Sequence, residues 1–160
     1  MKPSVRIQDK NPDAIRKRME ALSERIRVRI GIQGVEASKD HGGATVADIA
    51  AIHEFGLGNV PVRSWLRGWY DGAEAQIRED LRKGMQKVIA GEISQHTLAT
   101  ALGLKGVVGI QERISSGIPP ELSPETIDRK ESATPLIDTG LFRSSITFVL
   151  DSGDMIGVSL

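Results

Sequence analysis

Thr134-Pro-Leu-Ile-Asp-Thr-Gly-Leu-Phe-Arg-Ser-Ser-Ile-Thr-Phe-Val-Leu150 joins a rigid lead-in, a capped turn and a strand in one short run. Pro135 fixes its own φ and biases Thr134 toward an extended backbone, so Leu136 and Ile137 read as an apolar arm rather than a helix. Asp138 or Thr139 can accept from the free N–H groups of a following helical turn through Leu141, Phe142 and Arg143, and Gly140 permits the tight turn. The period then changes. Ile146, Phe148 and Leu150 alternate with Ser145, Thr147 and Val149, the two-residue repeat of a strand. Met155 to Leu160 forms a second apolar run beyond the turn Asp151-Ser-Gly-Asp154, and the pair reads as a C-terminal β-hairpin.

This hairpin needs a partner surface, and the start of the chain offers one. Asn11 suits an N-cap, Pro12 the first helical position and Asp13 the positive end of the dipole; Ile15, Met19, Leu22 and Ile26 recur at helical spacing. Arg16, Lys17, Arg18, Glu20, Glu24 and Arg25 occupy the other face, which reads first as solvated. From about Ile26 the period falls to two: Val28, Ile30 and Ile32 take one face, Arg27 and Arg29 the other. Gln33 to Gly43 breaks all periodicity and reads as a surface loop, mobile in isolation.

Between these ends the chain is helical. Thr45 with Asp48 makes a shortened capping box for a helix that stops at Glu54-Phe-Gly-Leu-Gly58. Asn59 to Arg63 leads extended into Ser64, the N-cap of the longest helix, whose apolar stripe is Leu66, Trp69, Ala73, Ile77, Leu81, Met85 and Val88, with Trp65 and Tyr70 beside it. A second long segment, about Ser94 to Ser115, turns Leu98, Leu102, Val107, Ile110 and Ile114 inward. Gly103, Gly106 and Gly109 within it each cost about 1 kcal/mol relative to alanine, so they imply either a break or the close approach of another backbone. Pro119-Pro120 ends that segment, and Ser123-Pro124 opens a short helix to about Lys130. The expected architecture is an α+β single domain over residues 1–160, with several helices on a small, mostly antiparallel sheet built from the early strand and the C-terminal hairpin.

Composition narrows the function. The 160 residues carry 21 basic and 21 acidic side chains and no cysteine. No overall basic field is available, and neither disulfides nor thiolate chemistry. No apolar run approaches the roughly 18 to 20 residues of a membrane span, and no signal-peptide pattern is present. His41, His53 and His96 form no metal-ligand pair, the Gly31–Gly34 and Gly103–Gly106 pairs lack P-loop spacing, and no nucleophile elbow occurs. The reading is therefore not an enzyme, with no cofactor and no metal. The charge is uneven: Met1 to Ile30 has nine basic and four acidic residues, a local +5, whereas Glu131 to Leu160 has one basic and four acidic, a local −3. The Arg16 to Arg29 region of one copy, with Arg25 and Arg29, is thus expected to lie near the Asp138 to Asp154 region of the next, with Asp151 and Asp154.

Four separated motifs occur in one order: Ala50-Ala-Ile-His-Glu-Phe-Gly56, Val60-Pro-Val-Arg-Ser-Trp-Leu-Arg67, Pro119-Pro-Glu-Leu-Ser-Pro-Glu-Thr-Ile-Asp-Arg-Lys130 and Pro135-Leu-Ile-Asp-Thr-Gly-Leu-Phe-Arg-Ser-Ser-Ile146. Over roughly residues 45 to 148 the chain resembles the neck or tail-completion (virion morphogenesis) proteins of tailed bacteriophages and prophages. In such proteins the second motif usually reads isoleucine, proline, alanine, arginine, proline, phenylalanine, leucine, arginine, so Ser64 and Trp65 replace proline and phenylalanine here. The resemblance implies a structural virion subunit that joins tail to head as part of a homo-oligomeric ring. Its implied partners are other copies of itself, the head connector or adaptor, and the tail terminator or tail tube, with DNA passing through the lumen without sequence-specific contact and no membrane. Its implied place is the virion neck, after assembly in the host cytoplasm.

The candidate interface residues are Arg25, Arg29, Phe55, Arg63, Trp65, Arg67, Asp138, Phe142, Arg143, Asp151 and Asp154. Phe55 and Phe142, placed in turns, are expected as apolar anchors between copies, and Trp65 and Ile137 as either core or interface. Arg63 and Arg67 are either ion-pair partners for Asp138 across the interface or solvated charges. The alternative function is a DNA-binding module using the basic N-terminal helix.

Overall fold

The computed structural model describes residues 12–23, 25–40, 43–122 and 140–152. The Asn11 cap, the helix expected from Ser123, the Pro135 arm with Asp138, and the last strand with Asp154 lie outside the described residues. Within them the elements are α1 (Pro12–Ser23), β1 (Ile26–Ile32), α2 (Val46–Phe55), α3 (Arg67–Ala90), α4 (Gln95–Ser115), α5 (Leu141–Ser144) and β2 (Ile146–Ser152). This is an α+β fold, five helices around a two-stranded antiparallel sheet.

The sheet joins segments from opposite ends of the described chain. Ile26 faces Ser152, Ile30 faces Phe148 and Ile32 faces Ile146. Alternation sends Val28, Ile30 and Ile32 of β1 to the same face as Leu150, Phe148 and Ile146 of β2, and α4 lies across that face.

Its three glycines make this possible. α4 continues unbroken through Gly103, Gly106 and Gly109, started by Ser94, whose Oγ accepts from Thr97 N–H at 3.0 Å. A Cβ at Gly103 would overlap the Phe148 ring, one at Gly106 the end of Ile30, and one at Gly109 the indole of Trp69 on α3. At Gly84 of α3 the same holds for Leu98 of α4. The close approach expected from the sequence is therefore made by side chains, not by another backbone. The roughly 1 kcal/mol lost at each glycine is offset by burying large apolar groups against the bare helix surface.

α2 forms as its caps dictate. Thr45 Oγ1 accepts from Asp48 N–H at 3.1 Å while Asp48 Oδ2 accepts from Thr45 N–H at 3.0 Å, and Gly56 ends the helix at φ 69°. Val46, Ala50, Trp65, Ile110, Ile114, Ile118, Phe142 and Ile146 make the core, so α2, α4, α5 and β2 share one interior.

Three expectations change. Met19 of α1 is 66% exposed and Leu81 of α3 is exposed, so the apolar stripes of these helices are only partly covered. Helical geometry in α3 begins at Arg67 rather than just after Ser64, where the Leu66 and Arg67 N–H groups donate to the Glu54 carboxylate. The glycine-rich loop after β1 carries a 3-10 turn, Gly34–Glu36, and reaches the end of β2's side of the core, where Ser145 Oγ donates to Glu36 Oε2 at 3.4 Å.

Candidate interaction surface

Phe55, Gly56, Leu57 and Gly58 close α2, and the chain then returns extended to α3. Arg63 N–H donates to His53 C=O at 2.7 Å, fixing the return strand to the end of α2. A Cβ at Gly56 would strike Val62, so the loop is closed tightly at its neck. Phe55, Leu57 and Val62 emerge on the outside, 59%, 50% and 51% exposed, as a small apolar knob. Arg67 lies over the Phe55 ring, 5.9 Å from its centroid.

Beneath the knob is a buried carboxylate. Glu54 is 6% exposed, and it accepts from Ser64 Oγ at 2.7 Å, Leu66 N–H at 2.9 Å and Arg67 N–H at 3.1 Å. Ser64 Oγ in turn accepts from Gly68 N–H at 3.1 Å. The N-terminus of α3 is thus capped by a side chain from α2, with Ser64 as the relay, and a negative charge there also meets the helix dipole. The Arg67 guanidinium stands 3.7 Å from the same carboxylate.

Trp65 points the other way, into the core. Its indole N–H donates to Ala50 C=O at 3.0 Å, and its ring meets Phe142 edge to face, centroids 5.3 Å apart at 86°. Arg63 is 4% exposed, and its guanidinium donates to Pro120 C=O at 3.0 Å and Glu121 C=O at 3.3 Å. Burial pulls its pKa below the usual arginine value. Arg143 Nη1 donates to Ser115 Oγ at 2.8 Å, and Arg143 C=O accepts from Gln111 Nε2 at 3.2 Å.

The described parts of the four motifs therefore converge in space. The first supplies Ala50, His53 and Glu54; the second Arg63, Ser64 and Trp65; the third the Pro120 and Glu121 carbonyls; the fourth Phe142. Several interface expectations are corrected by this. Trp65 and Phe142 are core residues of the single chain, because the α5 turn tucks Phe142 under the α2–α3 junction. Arg63 is neither an interface ion pair nor a solvated charge; it clamps backbone carbonyls. Arg29 and Asp151, expected on different copies, pair within the chain at 2.7 Å, because β1 and β2 are neighbours in one sheet. Phe55 remains on the surface as expected, and Arg25 is exposed. Asp138 and Asp154 lie outside the described residues.

Sequence reasoning missed Leu57 and Val62, whose signal was apolar side chains placed in a glycine-rich turn. It also missed a cleft of about 840 Å³ between α3, α4 and β1, lined by Val28, Ile30, Trp69, Tyr70, Ile77 and Leu102 among others. Among the described residues no group of histidine, aspartate and glutamate side chains is placed to hold a metal ion, and no helix is long and apolar enough to cross a membrane. No protein-family model, no curated protein and no solved structure matches the chain.

Proposed function

We propose that this chain is a structural subunit of the neck of a tailed bacteriophage, a tail-completion protein that assembles as a ring between tail and head. The observation that carries the reading is the convergence of the described parts of the four motifs on one junction that presents an apolar knob. Motif residues there hold one another: Glu54 caps α3, Trp65 spans to Ala50 and Phe142, and Arg63 anchors the segment after α4. Such a network is suited to holding Phe55, Leu57 and Val62 in fixed relation to the body of the subunit. A knob that docks on a different surface of the next copy makes a heterologous contact, and such contacts close into rings.

Electron microscopy of the purified protein, with sedimentation to give its mass, tests the proposal. Rings are expected from the wild type and monomers from Phe55→Asp with Leu57→Asp. A wild-type protein that stays monomeric at every concentration, alone and with head or tail fractions, would overturn it. The basic-helix alternative is less well supported, because Arg16 of α1 already lies 3.7 Å from Asp13 and 3.8 Å from Glu20.

A further inference from the structure

The face of the sheet turned away from α4 carries a row of arginines. Arg27 and Arg29 leave β1 opposite Val28, Ile30 and Ile32, and Arg25 stands one residue before the strand begins; all three are exposed. From the register, β2 adds Thr147, Val149 and Asp151 to this face. Asp151 stands directly opposite Arg27 in the register and, among the described residues, pairs with Arg29, at 2.7 Å to Nε and 3.0 Å to Nη2. Arg25 and Arg27 have no ion pair among the described residues. Among the described residues, this face and the Arg25 that leads into it therefore hold three guanidinium groups against one carboxylate, on a chain whose net charge is zero.

We propose that this outer face binds the sugar-phosphate backbone of duplex DNA without reading its sequence. Alternate residues of a strand stand about 6.8 Å apart, and neighbouring phosphates of one DNA strand, offset by about 3.4 Å along the axis and turned about the helix, stand about 7 Å apart through space, so successive arginines meet successive phosphates. Guanidinium groups are the side chains best matched to phosphate oxygens. Single strands are disfavoured as the occupant, because their non-specific binding depends on aromatic platforms. Phe148, the aromatic residue of β2, faces α4 instead, and Val149 is the large apolar side chain on the outer face. This site is independent of ring formation, since each subunit carries the whole row.

Anisotropy of a labelled random-sequence duplex, titrated with the full chain at several salt concentrations, tests the assignment. The logarithm of affinity against that of salt is expected to fall with a slope of about −2 to −3, at about 0.9 per phosphate neutralised. Arg25→Gln with Arg27→Gln should shrink the slope by about 2 and weaken low-salt binding by about tenfold or more. Asp151→Asn removes the opposing carboxylate and frees Arg29, so it should tighten binding and steepen the slope. Arg78→Gln with Arg82→Gln, on α3, should change neither. Circular dichroism confirms that each variant is folded. No binding by the wild type at low salt, or an unchanged slope in the Arg25 and Arg27 variant, overturns the proposal. An acidic peptide bound as tightly as the duplex overturns it in favour of an acidic protein partner. A monomer that binds DNA defeats the neck reading and leaves this one standing, and a ring indifferent to DNA does the reverse.

Discussion

Replacing Glu54, the buried carboxylate near the end of α2, should destabilise the protein more than any change at its surface loops. The carboxylate accepts three hydrogen bonds, from Ser64 Oγ, Leu66 N–H and Arg67 N–H, while only 6% exposed. Bonds to a charged acceptor contribute about 1.5 to 3 kcal/mol each, and a buried donor left without a partner costs about 1 to 3. These contributions are not additive, because water enters part of the space left by truncation. Glu54→Ala is therefore expected to lose about 3 to 5 kcal/mol, a large share of the roughly 5 to 15 that holds a domain together. Glu54→Gln keeps one acceptor oxygen but turns an NH2 group toward one backbone N–H donor, Leu66 or Arg67, so a loss of about 2 to 3 kcal/mol is expected. Urea unfolding gives the difference from the midpoint, and an unchanged m-value confirms that compactness is the same. Faster amide exchange at Leu66, Arg67 and Gly68 would localise the effect to the start of α3. If both variants unfold within about 0.5 kcal/mol of the wild type, as ordinary surface substitutions do, the account of Glu54 as the cap of α3 is wrong.

Ile30→Asp and Phe148→Asp each place a carboxylate on the covered face of the sheet, and each is expected to prevent cooperative folding; a sharp thermal transition near that of the wild type would contradict this. Gly103→Ala should destabilise because the added methyl meets the rigid Phe148 ring, whereas Gly106→Ala overlaps only the end of the flexible Ile30 side chain, with the Trp69 ring crowded less closely, and should lose less, helped by about 1 kcal/mol of helix propensity. Equal stability changes for the two alanines would refute that contrast. The Glu79 pKa is held down to about 2, first by the hydrogen bond from Arg82 and then by Lys83. A folded pKa below the ordinary value of 4.5 means that this contribution is present above pH 4.5 and is lost as pH falls toward about 2. Carboxyl NMR should find the low midpoint in the wild type and a higher one in Arg82→Gln, and an ordinary midpoint in the wild type would contradict it.

Elements whose cause is local were legible in the sequence. The alternation of β1 and β2 needs only neighbours two residues away, and the capping box of α2 lies within Thr45 to Asp48. Non-local causes were not legible. The cap of α3 comes from Glu54, on the preceding helix, so Ser64 could be identified as part of the cap but not as a relay. The helical glycines signalled a close approach without naming the partner, because Phe148 and Ile30 reach them across the fold. Phe142 follows a glycine turn, which read as exposed, yet that turn folds back on Trp65. Arg29 and Asp151 carried the right mutual attraction, but local charge alone does not say whether such partners belong to one copy or two.

The ion pair of Arg29 and Asp151 joins residues 122 positions apart, and every pair of the register, from Ile26 with Ser152 to Ile32 with Ile146, is separated by a comparable length of chain. Pairing over so long a loop raises the contact order of an otherwise helical protein, and its closure entropy slows folding. During synthesis at about 5 to 20 residues per second, β1 leaves the ribosome on the order of ten seconds before β2 exists. In that interval α4 can form, but its glycine surface has no Phe148 to receive. Ile30 and its neighbours then wait on an unpaired strand, which is the form most open to mispairing with another nascent chain. Arg27 and Arg29, charges on that waiting strand, oppose such pairing through like-charge repulsion, so the same row guards the strand before the sheet is made.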